Sequence, residues 1–217
     1  MPNKFTPLIN KLLSCLLILT LFVSLVWVQI ALADTTSTTF NQTINEGTLS
    51  IDIVDAAGDV VVSPAVTFGP ISFAFDAQDS TGTLGVSTEK IRVSNPTTTV
   101  TWNVSMAATS GADTPWTTGT YNYPFDSTGG ADTGRLSVDP SGSTITAVGS
   151  GCTTTNIYKG SSAFFLSGTT DSVDLMGASS GADTLCRWDQ TGISLSQRVP
   201  ASQEPGSYSI AMTLTVI

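Results

Sequence analysis

The chain has 217 residues, 17 Asp and Glu against 8 Lys and Arg, a formal net charge of −9 and no histidine. Without imidazole there is no His-ligated zinc and no Ser-His or Cys-His nucleophile, and an acidic chain offers nucleic-acid phosphates no basic stripe. Only 12% of residues are charged; Thr, Ser and Gly take their place, which is unusual for a cytosolic enzyme.

Residues 1–33 read as a leader. Lys4 and Lys11 carry its positive charge, residues 12–33 are almost wholly apolar, and Ala31 and Ala33 stand at −3 and −1 before Asp34. Small side chains at those two positions suit a signal peptidase pocket, so a secretory signal helix cut before Asp34 is expected. A run of about twenty apolar residues is also long enough to stay behind as an anchor. Either outcome exports residues 34–217 to an extracellular or cell-surface location and confines membrane contact to an uncleaved leader. Beyond the leader all the acids remain, with six bases: Lys90, Arg92, Arg135, Lys159, Arg187 and Arg198. Cys152 and Cys186 remain as well. An even cysteine pair in an exported chain predicts a disulfide. Closing that loop is worth up to about 4 kcal/mol on the chain-entropy model. Two buried free thiols are the alternative.

From residue 49 onward the dominant hydrophobic period is two. Leu49, Ile51 and Ile53 alternate with polar residues, as do Ile71, Phe73 and Phe75, then Val100, Trp102, Val104 and Met106, and last Tyr208, Ile210, Met212, Leu214 and Val216. Shorter strand candidates occupy 90–94, 135–139, 143–148, 162–167, 172–176 and 192–199. Turn residues separate them: Ala57-Gly58-Asp59, Asp139-Pro140-Ser141-Gly142 and Glu204-Pro205-Gly206, where proline fixes φ and glycine supplies positive φ. Short strands with no helical period between them predict an all-β fold. The expectation is a single domain over 34–217, an antiparallel two-sheet β-sandwich of about ten strands. Residues 107–134 form the longest irregular stretch and are expected to elaborate one end of the sandwich.

The C-terminal run Val199-Pro200-Ala201, Glu204-Pro205-Gly206-Ser207-Tyr208 and Met212-Thr213-Leu214-Thr215-Val216, with Thr67-Phe68-Gly69 and Val100-Thr101-Trp102-Asn103-Val104, resembles the WxL-type cell-wall-associated domain of bacterial surface proteins. It departs from that pattern where Asn103-Val104 follows Trp102 and where Met212 and Leu214 replace the second Trp-x-Leu. The resemblance implies an exported surface β-sandwich. Residues 39–49, with Phe40 and Gly47-Thr48-Leu49, are similar to the opening of biofilm-matrix and camelysin-type fibre subunits. That likeness implies self-assembly, in which a terminal strand completes a neighbour's sheet; a frayed terminus is the plainer reading of the same residues.

Two groups of residues are candidates for chemistry. Gly-Ala-Asp-Thr occurs at 111–114, 130–133 and 181–184, and Asp126 precedes the second copy. Carboxylates, hydroxyls and flexible carbonyls together suit a structural Ca²⁺, with Asp126 and Asp132 as first ligands and Asp113 as a third. Asp and Gly also make turns unaided. Trp116, Tyr121, Tyr123 and Phe125 cluster within residues 115–125. Trp116, Tyr121 and Tyr123 can stack on a sugar or anchor a protein partner, or pack onto the sandwich as most aromatics do. Trp102 reads as core, and Trp188 as cover for the disulfide. No phosphate loop, dinucleotide fingerprint or HExxH motif is present, so no catalytic residue is assigned. The reading is a non-enzymatic secreted or cell-surface protein with an envelope-associated structural or adhesive role. Its partners are a surface polymer or other surface proteins, not nucleic acid. A fibre subunit and a carbohydrate-binding or cell-wall-binding module are the alternatives.

Overall fold

A computed structural model of the chain describes residues 6–26 and 39–217. They belong to two compact units, residues 1–44 and residues 45–217. In the first, the described residues form one helix, α1, Thr6–Val26, which takes in the start of the apolar run. Leucine-rich sequence with no internal glycine, and no proline beyond the first turn, sustains it.

The second unit is all-β. Its strands are β1 Ser50–Val54, β2 Gln78–Leu84, β3 Lys90–Asn95, β4 Trp102–Ala108, β5 Trp116–Thr117, β6 Asn122–Tyr123 and β7 Arg135–Asp139. Then follow β8 Thr144–Val148, β9 Ile157–Lys159, β10 Ala163–Phe164, β11 Ser172–Ala178, β12 Cys186–Thr191, β13 Ile193–Val199 and β14 Met212–Val216. All pairings are antiparallel, in three four-stranded ladders ordered β1-β3-β12-β8, β10-β7-β13-β2 and β14-β4-β11-β9, plus the β5–β6 ribbon. The count exceeds the expected ten because several strands are short or interrupted.

The first two ladders run on from one another. Along β12 the partners on β3 descend from Asn95 to Ile91, and along β13 the partners on β2 continue from Leu84 to Gln78. On the other side β8 descends from Val148 to Thr144 and β7 continues from Asp139 to Arg135. The break falls at Gly85 and Gly192, where the Gly192 amide donates to the Gly85 carbonyl at 2.8 Å. Both glycines have φ of 81°, a region costly for residues with a Cβ, and a bend at such a point lets a strand pass from one ladder to the next.

Alternation places the apolar residues on one side. In β4, Trp102, Val104, Met106 and Ala108 are buried while the residues between them are half-buried. In β13, Ile193, Leu195, Gln197 and Val199 point inward. A single apolar core draws on all three ladders, with Val93 and Trp188 from the first, Val138 and Ile193 from the second, Val104 and Leu175 from the third.

The structure departs from the period-two reading at one place in particular. Ile71, Phe73 and Phe75 alternate like a strand, yet residues 70–75 have no ladder partner and all three side chains are exposed. Conversely β2, with sequence QDSTGTL, and β12, with sequence CRWDQT, pair in ladders although polar residues dominate them, β2 at the edge of its ladder and β12 inside its own. β12 lies between β3 and β8, where Asp189 and Gln190 are buried. Asp189 is paired with Arg92 and Lys90, and Gln190 Nε2 donates to Ser143 Oγ and the Leu175 carbonyl, both at 2.9 Å, while its Oε1 has no hydrogen-bond partner.

Candidate functional site

The irregular region 107–134 contains a small ribbon, β5–β6, in which Trp116 lies directly opposite Tyr123. That register stacks the two rings, with centroids 6.2 Å apart and planes 17° from parallel. Phe68 meets the other side of Trp116 edge-on at 5.3 Å, and Tyr208 meets Tyr123 at 5.0 Å. Tyr208 is carried there by paired backbone hydrogen bonds between Thr117 and Ser209, both 3.0 Å. The four rings thus form a continuous row, contributed by three separate parts of the chain.

This row forms the base of a cleft of about 300 Å³. One wall is the irregular segment 68–74 and the other is the turn at 203–206. Hydrogen bonds brace both walls. Ser80 Oγ donates to the Gly69 carbonyl at 2.6 Å, and Gln78 Nε2 donates to the Ser72 carbonyl at 2.7 Å. The Ser202 amide donates to the Ala74 carbonyl at 2.8 Å and joins the two walls. Tyr208 Oη donates to the Glu204 carbonyl and accepts from Gln203 Nε2, each at 2.7 Å. The Glu-Pro-Gly-x-Tyr run is therefore a corner held by its own tyrosine. At the base, Trp116 Nε1 donates to Gln197 Oε1 at 2.8 Å, which satisfies a side chain only 1% exposed. Burial first, and Tyr208 second, push the Tyr123 phenol well above its ordinary value, so it stays a neutral hydroxyl. Among the described residues lining the cleft, Glu204 carries the one formal charge.

Of the three aromatic candidates, the structure brings Trp116 and Tyr123 together and leaves Tyr121 out. Trp116 and Tyr123 are 9% and 7% exposed, so both pack into the β unit. Tyr121 sits in the ribbon's turn and is 46% exposed; its backbone, not its ring, is held there, by Thr118. The residues that sequence reasoning missed are Phe68, Phe73, Gln78, Gln203 and Tyr208. Phe73 was masked by its strand-like alternation, and Tyr208 by serving as the first residue of the last apolar series.

The acidic candidates separate. The Asp132 carboxylate pairs with Arg198 Nε at 2.8 Å, and Arg198 also reaches Asp79 at 3.2 Å. Asp113 accepts from Ser167 Oγ at 2.8 Å. Asp126 is buried, its backbone bridges to Arg135, and its Oδ2 has no hydrogen-bond partner. Burial, then the charge of Asp113, raises the Asp126 pKa above its ordinary value. Among the described residues no three His, Cys, Asp or Glu side chains are grouped to hold a metal ion. The expected ligand trio of Asp113, Asp126 and Asp132 is not assembled, since Arg198 draws Asp132 into a different network.

Cys152 and Cys186 are joined in a disulfide, with Cα atoms 5.8 Å apart. Trp188, fully buried, donates from Nε1 to the carbonyl of Thr153, next to Cys152, at 2.8 Å, and its ring lies 5.4 Å from that of Trp102. The expected cleavage residues Ala31, Ala33 and Asp34 lie outside the described residues. Comparison of the chain with protein-family models, curated proteins and solved structures finds no match in any of the three.

Proposed function

We propose that the chain is an exported, non-enzymatic surface protein with an envelope-associated structural or adhesive role. On this reading its body is a two-layer sandwich. The two collinear ladders make one long bent sheet, and β14-β4-β11-β9 makes the other. The observation that carries the export reading is the Cys152–Cys186 disulfide, because such bonds persist in oxidising compartments. The leader at 1–33 and the WxL-type resemblance of 199–216 support it, and the braced cleft supplies a recognition surface for the adhesive role. Fractionation of expressing cells tests the proposal: the chain should appear, oxidised at Cys152 and Cys186, in the envelope or medium. Reduced protein confined to the cytosol would refute it.

A second reading, a fibre subunit joined by strand donation, is favoured by one feature. Residues 41–49 carry no ladder pairing, and Phe40 and Ile44 are 93% and 87% exposed. Deleting residues 34–43 should then abolish filaments seen by negative stain; filaments that persist would remove this reading. A structural calcium ion belongs to the proposal only at the loops of Asp113 and Asp126. An unfolding midpoint indifferent to chelator would remove it.

A further inference from the structure

We propose that the cleft between residues 68–74 and 203–206 is a binding site for a neutral glycan. The proposal deepens the adhesive reading and rests on it, since it names the ligand of that surface. Three properties select this chemistry.

The first is the mixture of surfaces. Phe73, 51% exposed, forms part of one wall and the half-buried Tyr208 lines the base. Apolar ring faces of this kind suit the C–H face of a pyranose. Beside them stand the amides of Gln78 and Gln203 and the carboxylate of Glu204. Each amide spends a donor on bracing the walls and keeps its carbonyl oxygen for a ligand hydroxyl. Apolar walls with a few placed polar groups are the general pattern of small-ligand sites.

The second property is charge. Among the described lining residues there is no Lys or Arg to neutralise a phosphate, sulfate or carboxylate, and Glu204 would repel one. An anionic polymer is therefore disfavoured by the site itself as well as by the net charge of −9.

The third is rigidity. The edge of β2 is covered at Thr81: the Gly69 amide donates to the Thr81 carbonyl at 2.8 Å, and Ser80 Oγ holds the Gly69 carbonyl. A peptide adding to the sheet would have to displace Gly69 from Thr81, whereas a ligand held by side chains finds walls already fixed, which lowers the ordering cost of binding.

The test is calorimetric titration of the purified, oxidised chain with neutral oligosaccharides of glucose, mannose and N-acetylglucosamine. Oligogalacturonate serves as the anionic probe and a polyproline peptide as the peptide probe. Saturable binding of at least one neutral oligosaccharide is expected, weakened about tenfold by Phe73→Ala, whose exposed ring can be removed without unpacking the core. Gln203→Ala should weaken it too, while Tyr121→Ala leaves it unchanged. Binding of oligogalacturonate or polyproline alone, no binding at all, or neutral-glycan binding indifferent to both Phe73→Ala and Gln203→Ala would overturn the proposal. Fractionation reads the export proposal separately. A surface-located chain that binds no neutral glycan loses this inference only, and a cytosolic chain that binds one loses the export reading only.

Discussion

Asp189→Asn is expected to be the most destabilising single charge change in the β unit. Asp189 lies opposite Arg92 in the β3–β12 register. It accepts from Arg92 Nε at 2.6 Å and Nη2 at 2.8 Å, while Lys90 Nζ stands 3.1 Å from Oδ2. The Arg92 and Asp189 side chains are 10% and 8% exposed, so water cannot replace the lost charge. The substitution leaves a guanidinium and an ammonium facing a neutral amide, and breaking a buried pair in this way costs about 3–5 kcal/mol. At about 2–4 °C per kcal/mol for a unit of this size, the melting midpoint should fall by about 6–20 °C. The measurement is thermal unfolding by circular dichroism at pH 7, with Lys90→Met/Arg92→Met/Asp189→Leu as the comparison. With all three charges gone no ion is stranded, so the triple variant should recover most of the loss. The pH dependence gives a second readout. Burial pushes the Asp189 carboxyl up, but hydrogen bonds and charge from Arg92 and Lys90 outweigh it and hold the pKa below the ordinary 3.8. A depressed folded-state pKa contributes stability that is complete well above the unfolded value and fades as pH falls through the folded one. Wild type should therefore lose more stability than Asp189→Asn on acidification below about pH 4. A single variant within about 1 kcal/mol of wild type at pH 7 would refute the claim that this cluster is desolvated.

Three other outcomes are expected. Replacing both Cys152 and Cys186 by Ser should cost about 4 kcal/mol, from the loop entropy of their 34-residue separation, read as a lower denaturant midpoint; a chain equally stable when reduced would contradict it. Trp116→Phe keeps the aromatic row but strands the buried Gln197 oxygen, so a loss of about 1–3 kcal/mol is expected by urea unfolding. An unchanged midpoint would mean that Gln197 finds another donor. In the presence of chelator, where no cation offsets the charge, Asp126→Asn should raise the melting midpoint at pH 7. The Asp126 pKa is raised in the folded state by burial and by Asp113, so ionisation at neutral pH opposes folding, and the gain should shrink as pH falls toward the folded value. A lowered midpoint would show that the carboxylate has a partner, and a midpoint lowered by chelator in wild type alone would identify that partner as a cation.

The all-β character was legible from alternation alone. The series at 49–53, 100–106 and 192–199 lead into β1, β4 and β13, because period-two apolar residues can bury only one face of an extended chain. Pairing the two cysteines was equally accessible, since residues 34–217 hold just that pair. Alternation misled at Ile71, Phe73 and Phe75, because the pattern records which side chains could share a face and not whether a neighbouring strand is there to cover them. It was silent at β12, where burial depends on Arg92 and Lys90 reaching Asp189 from an adjacent strand more than ninety residues away in sequence.

The cleft lay beyond such local signals. Trp116 and Tyr123 stood out as aromatic, but not their partners: Phe68 comes from an irregular segment, Tyr208 from a corner held by its own hydroxyl, and Gln197 from a strand core. Side-chain periodicity and cysteine parity are properties of neighbours along the chain, so the amino-acid order sufficed for the class of fold and its covalent staple. Which rings meet, which carboxylate is stranded and which is claimed by an arginine depend on register between distant strands, and that was settled only when the ladders closed around one core.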